Sequence, residues 1–316
     1  MTQRWTEADI ADQTGRTVLV TGANSGLGLR TAEVLAGKGA RVLLACRSAQ
    51  RGAKALEQVR AAAAGAVPEL VPLDLSELAS VRAAAASVRD LTGDALDVLV
   101  NNAGVMATPR GKTADGFETQ FGTNHLGHAA LTWLLLPALR GGTAARVVTL
   151  SSIAATGARI DVADPNFEHR RYNPGTAYGQ SKLANQVFAL ELDRRLRAAG
   201  EDVLSVAAHP GYTSTGLGQG MARSYRNPVV RTVIGGGNRI GEILFAQNAR
   251  MGSLPQLYAA TADGVEGGDY IGPRGVGGMR GYPVKVSPLA SARSESLGAG
   301  LWDVTAKLTG VTPDPA

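Results

Sequence analysis

Tyr178-Gly179-Gln180-Ser181-Lys182 sets a phenol and an ammonium four residues apart, and on a helix that offset puts both on one face, one turn from each other. The pairing matters to the phenol. Free tyrosine titrates near ~10, but an ammonium about 4 Å away at an effective dielectric of ~20 is worth roughly 4 kcal/mol, or about three pKa units before solvent reduces it. A tyrosine lowered toward neutrality can pass a proton to or from an alcohol oxygen, the step that interconversion of a carbonyl and an alcohol requires. Such a pair also arises on ordinary amphipathic helices, so its placement decides. Upstream, the apolar run Arg146 to Leu150 ends in Ser151-Ser152, which sets a hydroxyl at a strand's carboxyl end. There it can donate to a carbonyl, or serve as a cap or turn residue. Asn124 interrupts a helical stretch, where an amide bends the helix around a water or is an exposed polar position.

A second group of residues suits an anion. Thr17-Val18-Leu19-Val20-Thr21-Gly22-Ala23-Asn24-Ser25-Gly26-Leu27-Gly28 reads as strand, tight turn and helix start. Gly22 and Gly26 allow positive-φ turns close to a bound group, and Gly28 lets the helix press on the strand it has just left. A pyrophosphate at that helix start would face unpaired N–H groups and the positive end of the helix dipole. Asp97 to Val100 likewise runs into Asn101-Asn102-Ala103-Gly104, whose small side chains let backbone approach a cofactor ribose.

The elements that must position these residues alternate. Strand-like apolar runs fall at Thr17 to Val20, Arg41 to Ala45, Glu69 to Leu73, Asp97 to Val100, Arg146 to Leu150 and Val203 to Ala207. Between them, Leu29 to Lys38, Ala49 to Ala64, Leu78 to Asp90, Gly116 to Arg140 and Ala177 to Ala199 carry helix formers. This predicts an α/β fold, a doubly wound parallel sheet of about seven strands with helices on both faces and ligands beyond the strands' carboxyl ends. We expect residues 1–316 to form one domain, with 1–14 as an N-terminal extension. Two segments break the alternation, 153–175 and 212–250; the second is expected to be a substrate lid, and the first is equally an ordinary surface loop.

Composition narrows the function. The 316 residues are 44% hydrophobic and 19% charged, as in a globular protein, and the net charge of +5 is scattered without a basic run, so no nucleic-acid partner is expected. The single cysteine, Cys46, excludes an intrachain disulfide and a cysteine-ligated metal, and suits a reducing cytoplasm. No stretch has the length of a membrane span and none reads as a signal peptide, so a cytoplasmic location without an integral membrane segment is expected. His125, His128 and His209 lack a matching carboxylate pattern and read as packing residues, so no metal site is expected.

Thr21-Gly22-x-x-x-Gly26-x-Gly28, Asp74, Asn101-Asn102-Ala103-Gly104, Asn124, Ser152, Tyr178-x-x-x-Lys182 and Pro210-Gly211, in this order, resemble the short-chain dehydrogenase/reductase family from about Gly15 through Gly272. The resemblance implies a Rossmann fold and hydride transfer between a nicotinamide cofactor and a small-molecule carbonyl or alcohol. It makes Tyr178 the acid/base, has Lys182 bind the nicotinamide ribose and depress the tyrosine pKa, gives Ser152 the orientation of the reacting oxygen, and has Asn124 hold a relay water. Gly22, Asn24, Ser25, Gly26 and Leu27 would hold the cofactor's phosphates, Asp74 and Leu75 the adenine, Asn102, Ala103 and Gly104 the adjoining ribose, and Pro210, Gly211 and Thr215 the nicotinamide side. Ala45-Cys46-Arg47, Asn124-His125-Leu126-Gly127-His128 and Ala177-Tyr178-x-Gln180-Ser181-Lys182-Leu183-Ala184-Asn185 resemble the retinol-dehydrogenase and protochlorophyllide-reductase-like branch. The lack of cysteines beyond Cys46 argues against pigment reduction. Gly116 to Arg140 and Ala177 to Ala199 resemble helices that pair subunits in relatives, implying a homodimer or homotetramer. A non-catalytic NADP(H)-sensing protein is the rival reading, and the intact Ser152, Tyr178 and Lys182 argue against it.

Cofactor choice is read after the second strand. About 20 residues past the glycine turn, NAD-preferring enzymes carry an Asp or Glu for the ribose 2′-hydroxyl. Here Cys46-Arg47-Ser48 stands there; the Arg47 guanidinium can fork onto a 2′-phosphate and Ser48 can add a hydrogen bond. NADP(H) is expected over NAD(H). Ser25 fills the place where some family members carry a further basic residue, so the preference is expected to be moderate.

Overall fold

Along the strand β1 (Thr17–Thr21), Val18 and Val20 turn to one side and Leu19 to the other, and none is more than 1% exposed. Only a strand covered on both faces buries such a run completely. The structure, a computed structural model, describes residues 4–213 and 247–315. In it β1 pairs in parallel with β2 (Arg41–Cys46) and with β4 (Val98–Asn101), and β3 (Glu69–Pro72) lies outside β2. β5 (Arg146–Leu150), β6 (Leu204–Ala208) and β7 (Tyr270–Pro273) extend the other side, also in parallel. These are the seven parallel strands expected. An eighth, β8 (Pro283–Val286), was not legible; it runs antiparallel on β7, because the connection over 274–282 is shorter than the dozen or so residues a parallel return needs.

The order β3-β2-β1-β4-β5-β6-β7-β8 reverses between β1 and β4, and the carboxyl ends of those strands splay there to leave a crevice. Helices α1 (Gly26–Gly37), α2 (Ala49–Ala62) and α7 (Ala249–Thr261) cover the face that receives Val18, Val20 and Leu44. Helices α3 (Leu78–Thr92), α5 (Gly127–Gly141) and α6 (Pro174–Ala198) cover the face that receives Leu19, Leu43 and Leu99.

The stretch expected to be one helix from Gly116 to Arg140 is broken. It starts late, because Gly116 adopts φ +87° and Glu118 caps the following turn with its carboxylate on the N–H groups of Gln120 and Phe121. A single turn α4 (Thr119–Phe121) then widens into a π-turn (Gly122–Leu126) before α5 begins. Crowding holds it: a Cβ on Gly127 would lie 2.4 Å from the Leu75 carbonyl oxygen, and one on Gly122 2.5 Å from Thr113 Cγ2. By contrast α6 starts three residues before Ala177, at Pro174, because Asn173 Oδ1 accepts from Gly175 and Thr176 N–H at 2.9 and 3.0 Å.

The last helix, α8 (Glu295–Thr309), lies across α5 and α6, the helices that resemble subunit-pairing ones. Trp302 stacks on Phe188 and meets Trp133 edge-on, at 5.6 and 4.8 Å between ring centroids. The N-terminal extension is stitched down rather than loose: Trp5 meets Tyr258 edge-on, Glu7 pairs with Arg30 at 2.8 Å, and Ile10 is buried. Most of the expected lid, with Thr215 and the basic residues Arg223, Arg226, Arg231 and Arg239, lies outside the described residues. Among those described, no helix is long and apolar enough to cross a membrane.

Candidate active site

The crevice at the β1/β4 reversal opens into a cavity of about 530 Å³. Its floor is the glycine turn. Gly22 and Gly26 adopt φ +67° and +57°, and a Cβ on Gly28 would lie 2.4 Å from Asn102 Nδ2 and 2.5 Å from the Gly22 oxygen. Backbone from β1, α1 and the β4 loop is therefore packed as closely as glycine allows. Ser25 stands at the N-cap of α1 without a side-chain capping bond, which leaves the first N–H groups of the helix without a side-chain partner where Ser25, Gly26 and Leu27 line the cavity. The unpaired helix-start donors and the helix dipole together fit a dinucleotide pyrophosphate.

Arg47, Arg51, Asp74 and Leu75 also line the cavity. Arg47 Nε stands 3.9 Å from Asp74 Oδ2, and the pair is too exposed to hold the guanidinium strongly. Asp74 Oδ1 is engaged by the Ser76 N–H and hydroxyl at 3.0 and 2.6 Å.

In the same cavity β5 and α6 bring the chemistry together. Ser152, Tyr178 and Lys182 line one wall of the cavity, with Pro210 and Gly211 beside them. The wall is fixed from behind: Ser151 Oγ donates to the Lys182 carbonyl at 2.8 Å, and Lys182 Nζ and Asn185 Nδ2 donate to the Leu150 carbonyl at 3.1 and 2.9 Å. Burial lowers the Lys182 ammonium to about 8. For Tyr178 the direction departs from the expectation. Burial raises the phenol, and the hydrogen bond with Ser152 opposes that rise.

Residues 16–225 match the short chain dehydrogenase family. The chain belongs to that family. It is 37% identical over 299 residues to retinol dehydrogenase 13 of Homo sapiens, and 40% identical over 306 residues to polyprenol dehydrogenase of Mus musculus. Each match covers 94% of this chain and 85% of the relative. A crystal structure of a protein of uncharacterised function from Mycobacterium paratuberculosis superposes with a TM-score of 0.80 at 41% identity, covering 98% of both chains. More distant solved structures of this fold are complexes with NADP or with NAD. This short chain dehydrogenase is thus an oxidoreductase of the retinol-dehydrogenase-like branch, acting on an alcohol or carbonyl.

In this dehydrogenase the residues singled out from sequence mostly converge on the one cavity: Gly22, Asn24, Ser25, Gly26, Leu27, Arg47, Asp74, Leu75, Asn102, Ala103, Gly104, Ser152, Tyr178, Lys182, Pro210 and Gly211 all line it. Two stand apart. Ser48 caps α2, its Oγ accepting from Arg51 N–H at 3.4 Å, so it is a helix cap rather than a cavity-lining group. Asn124 is fully buried behind the wall, clamping Val105 through both backbone atoms at 2.8 and 2.9 Å. Sequence reasoning missed Arg51, Val105, Met106, Thr108, Tyr212 and Thr213. For Arg51 a signal existed, a second guanidinium four residues beyond Arg47; the others reach the cavity only through loop paths. Of the histidines, His125 meets Thr305 Oγ1 at 2.9 Å, and His209 Nδ1 accepts from Gly211 N–H at 3.3 Å. Among the described residues, no group of three or more His, Cys, Asp or Glu could hold a metal.

Proposed function

We propose that this dehydrogenase interconverts an apolar primary or secondary alcohol and its carbonyl with NADP(H), with Tyr178 as the acid/base. The observation that carries the reading is the common wall of Ser152, Tyr178 and Lys182 in the cavity that Arg47 and Arg51 also line. The cofactor supplies or accepts the hydride. The Ser152 hydroxyl orients the substrate oxygen, and the Tyr178 hydroxyl moves a proton at that same atom. A phenol raised by burial is protonated at neutral pH, which suits donation to a carbonyl oxygen, hence reduction. Lys182 keeps its ammonium below about 8 and places a positive charge on the wall where the tyrosine's negative charge develops.

Support for an apolar substrate comes from relatives named for retinol and polyprenol, and from Tyr212, Val276 and Met279, which are exposed on the segments that follow β6 and β7. The NADP(H) preference rests on Arg47 and Arg51 and the absence of a carboxylate at positions 46–48. Loss of NADPH absorbance with a panel of aldehydes, ketones, retinoids, steroids and quinones tests the reading. Consumption with apolar carbonyls by the wild type and not by Tyr178→Phe is expected; equal turnover by both, or none by the wild type, overturns it.

A further inference from the structure

We propose that His128 is a positioning residue that couples the cofactor-ribose loop Asn102–Val105 to the Asn124 π-turn; the proposal rests on the cofactor site described above. The His128 ring is 1% exposed and bonded at both nitrogens, with Nδ1 2.9 Å from the Asn124 carbonyl oxygen and Nε2 2.9 Å from Thr21 Oγ1. Chemistry fixes the proton. A carbonyl only accepts, so Nδ1 carries the hydrogen; the buried ring is neutral, so Nε2 must accept, and the Thr21 hydroxyl donates to it. The 3.3 Å approach of Thr21 Oγ1 to the Val100 carbonyl is the weaker use of that single proton.

With its hydrogen directed to His128, the Thr21 oxygen offers its lone pairs to the N–H groups of Asn102 and Ala103, at 2.9 and 3.0 Å. That anchors the start of the loop. Its end is anchored by Asn124, whose amide meets both the N–H and the carbonyl of Val105. The same amide donates to Ser181 Oγ at 2.9 Å, and Ser181 donates to the Tyr178 carbonyl at 2.8 Å. His128 joins the two anchors, and the path from Asn102 to the tyrosine's own backbone runs through groups that water does not reach. No apolar side chain could replace it, because it must donate at one end and accept at the other.

The test is a double-mutant cycle of Thr21→Val and His128→Asn, read by fluorescence titration with NADPH, or with NADH if the wild type binds that more tightly. Each single change should weaken binding about 5–10-fold, and the pair should be no weaker than the Thr21→Val single within about 2-fold, since Thr21→Val removes the oxygen through which His128 acts on Asn102 and Ala103. Asparagine keeps a donor for the Asn124 carbonyl but cannot reach Thr21. Its kcat should therefore stay within about 3-fold of wild type while KM for the cofactor rises; His128→Leu, which loses both bonds, should lose about 10-fold or more in kcat as well. Additive weakening in the double variant, or unchanged binding in His128→Asn, overturns the proposal. The titration needs no turnover, so a wild type that reduces no carbonyl would sink the proposed activity and still leave the bridge decided.

Discussion

Tyr178 and Lys182 illustrate how burial shifts an acid and a base in opposite directions, the phenol up and the ammonium down, because each is pushed toward its neutral form. At the residue scale this yields a pH dependence. Above about 8 the Lys182 ammonium is lost before the phenol ionises, so kcat for carbonyl reduction should fall on an alkaline limb near that value. Arginine keeps its charge there, so Lys182→Arg should carry the limb upward; pH profiles of the two proteins check it, and an unmoved limb removes Lys182 from the proton chemistry. Tyr178→Phe should bind NADPH as the wild type does and turn over roughly 10²-fold or more slowly. For Arg47, with only an exposed and distant Asp74 beside it, the Asp substitution should abolish the preference for NADPH. Parallel titrations with NADPH and NADH read this, and equal wild-type affinities would defeat the assignment.

At the scale of elements the glycine turn and the π-turn do different work. A Cβ on Gly28 has no room beside the Gly22 carbonyl and Asn102 Nδ2, so Gly28→Ala should destabilise by about 1–3 kcal/mol and weaken NADPH at least about 10-fold. Gly175→Ala, whose Cβ would meet only Asn173 Oδ1 at 3.4 Å, is the control expected to leave binding unchanged in the same urea and fluorescence measurements. Strands β1 to β6 were legible because apolar runs buried on both faces have no polar alternation to confuse them, whereas α7 and α8 were not read from the sequence. The break in Gly116 to Arg140 was not legible either, since its composition is helical throughout. Around the π-turn, Gly122 lies against Thr113 and Gly127 against the Leu75 carbonyl, the second a contact 52 residues away along the chain.

Over the whole molecule, burial of histidines sets the acid limit. His125 is lowered to about 3, and His128 and His209 to about 4, so between about 6.5 and 4 these rings are protonated in the unfolded chain and neutral in the native one. The unfolded state then binds more protons, and stability falls as pH falls through that window by about 1.4 kcal/mol per pH unit for each ring. Urea midpoints between pH 7.5 and 4.5 should show this slope, and His125→Gln should flatten it by about one proton; an unchanged slope would mean that His125 titrates normally. Trp302→Ala should cost about 3–5 kcal/mol in the same assay, because it empties the stack between α8 and the α5–α6 face. Any subunit pairing through α5 and α6 must accommodate α8.

The sequence by itself determined the alternation of strands and helices, the glycine turn and the ordered set of Asn102, Ser152, Tyr178 and Lys182. Each of these is local: a short run's periodicity, a turn's need for glycine, or a residue type at a strand end is carried by neighbours in the chain. Tertiary structure alone decided the direction of the Tyr178 shift, the withdrawal of Ser48 from the cavity to cap α2, and the tautomer of His128. It also decided the antiparallel β8 and the cover of α5 and α6 by α8. These depend on desolvation and on donors and acceptors brought together from distant parts of the chain. Thr21 and His128 meet across 107 residues, a separation at which residue spacing carries no information.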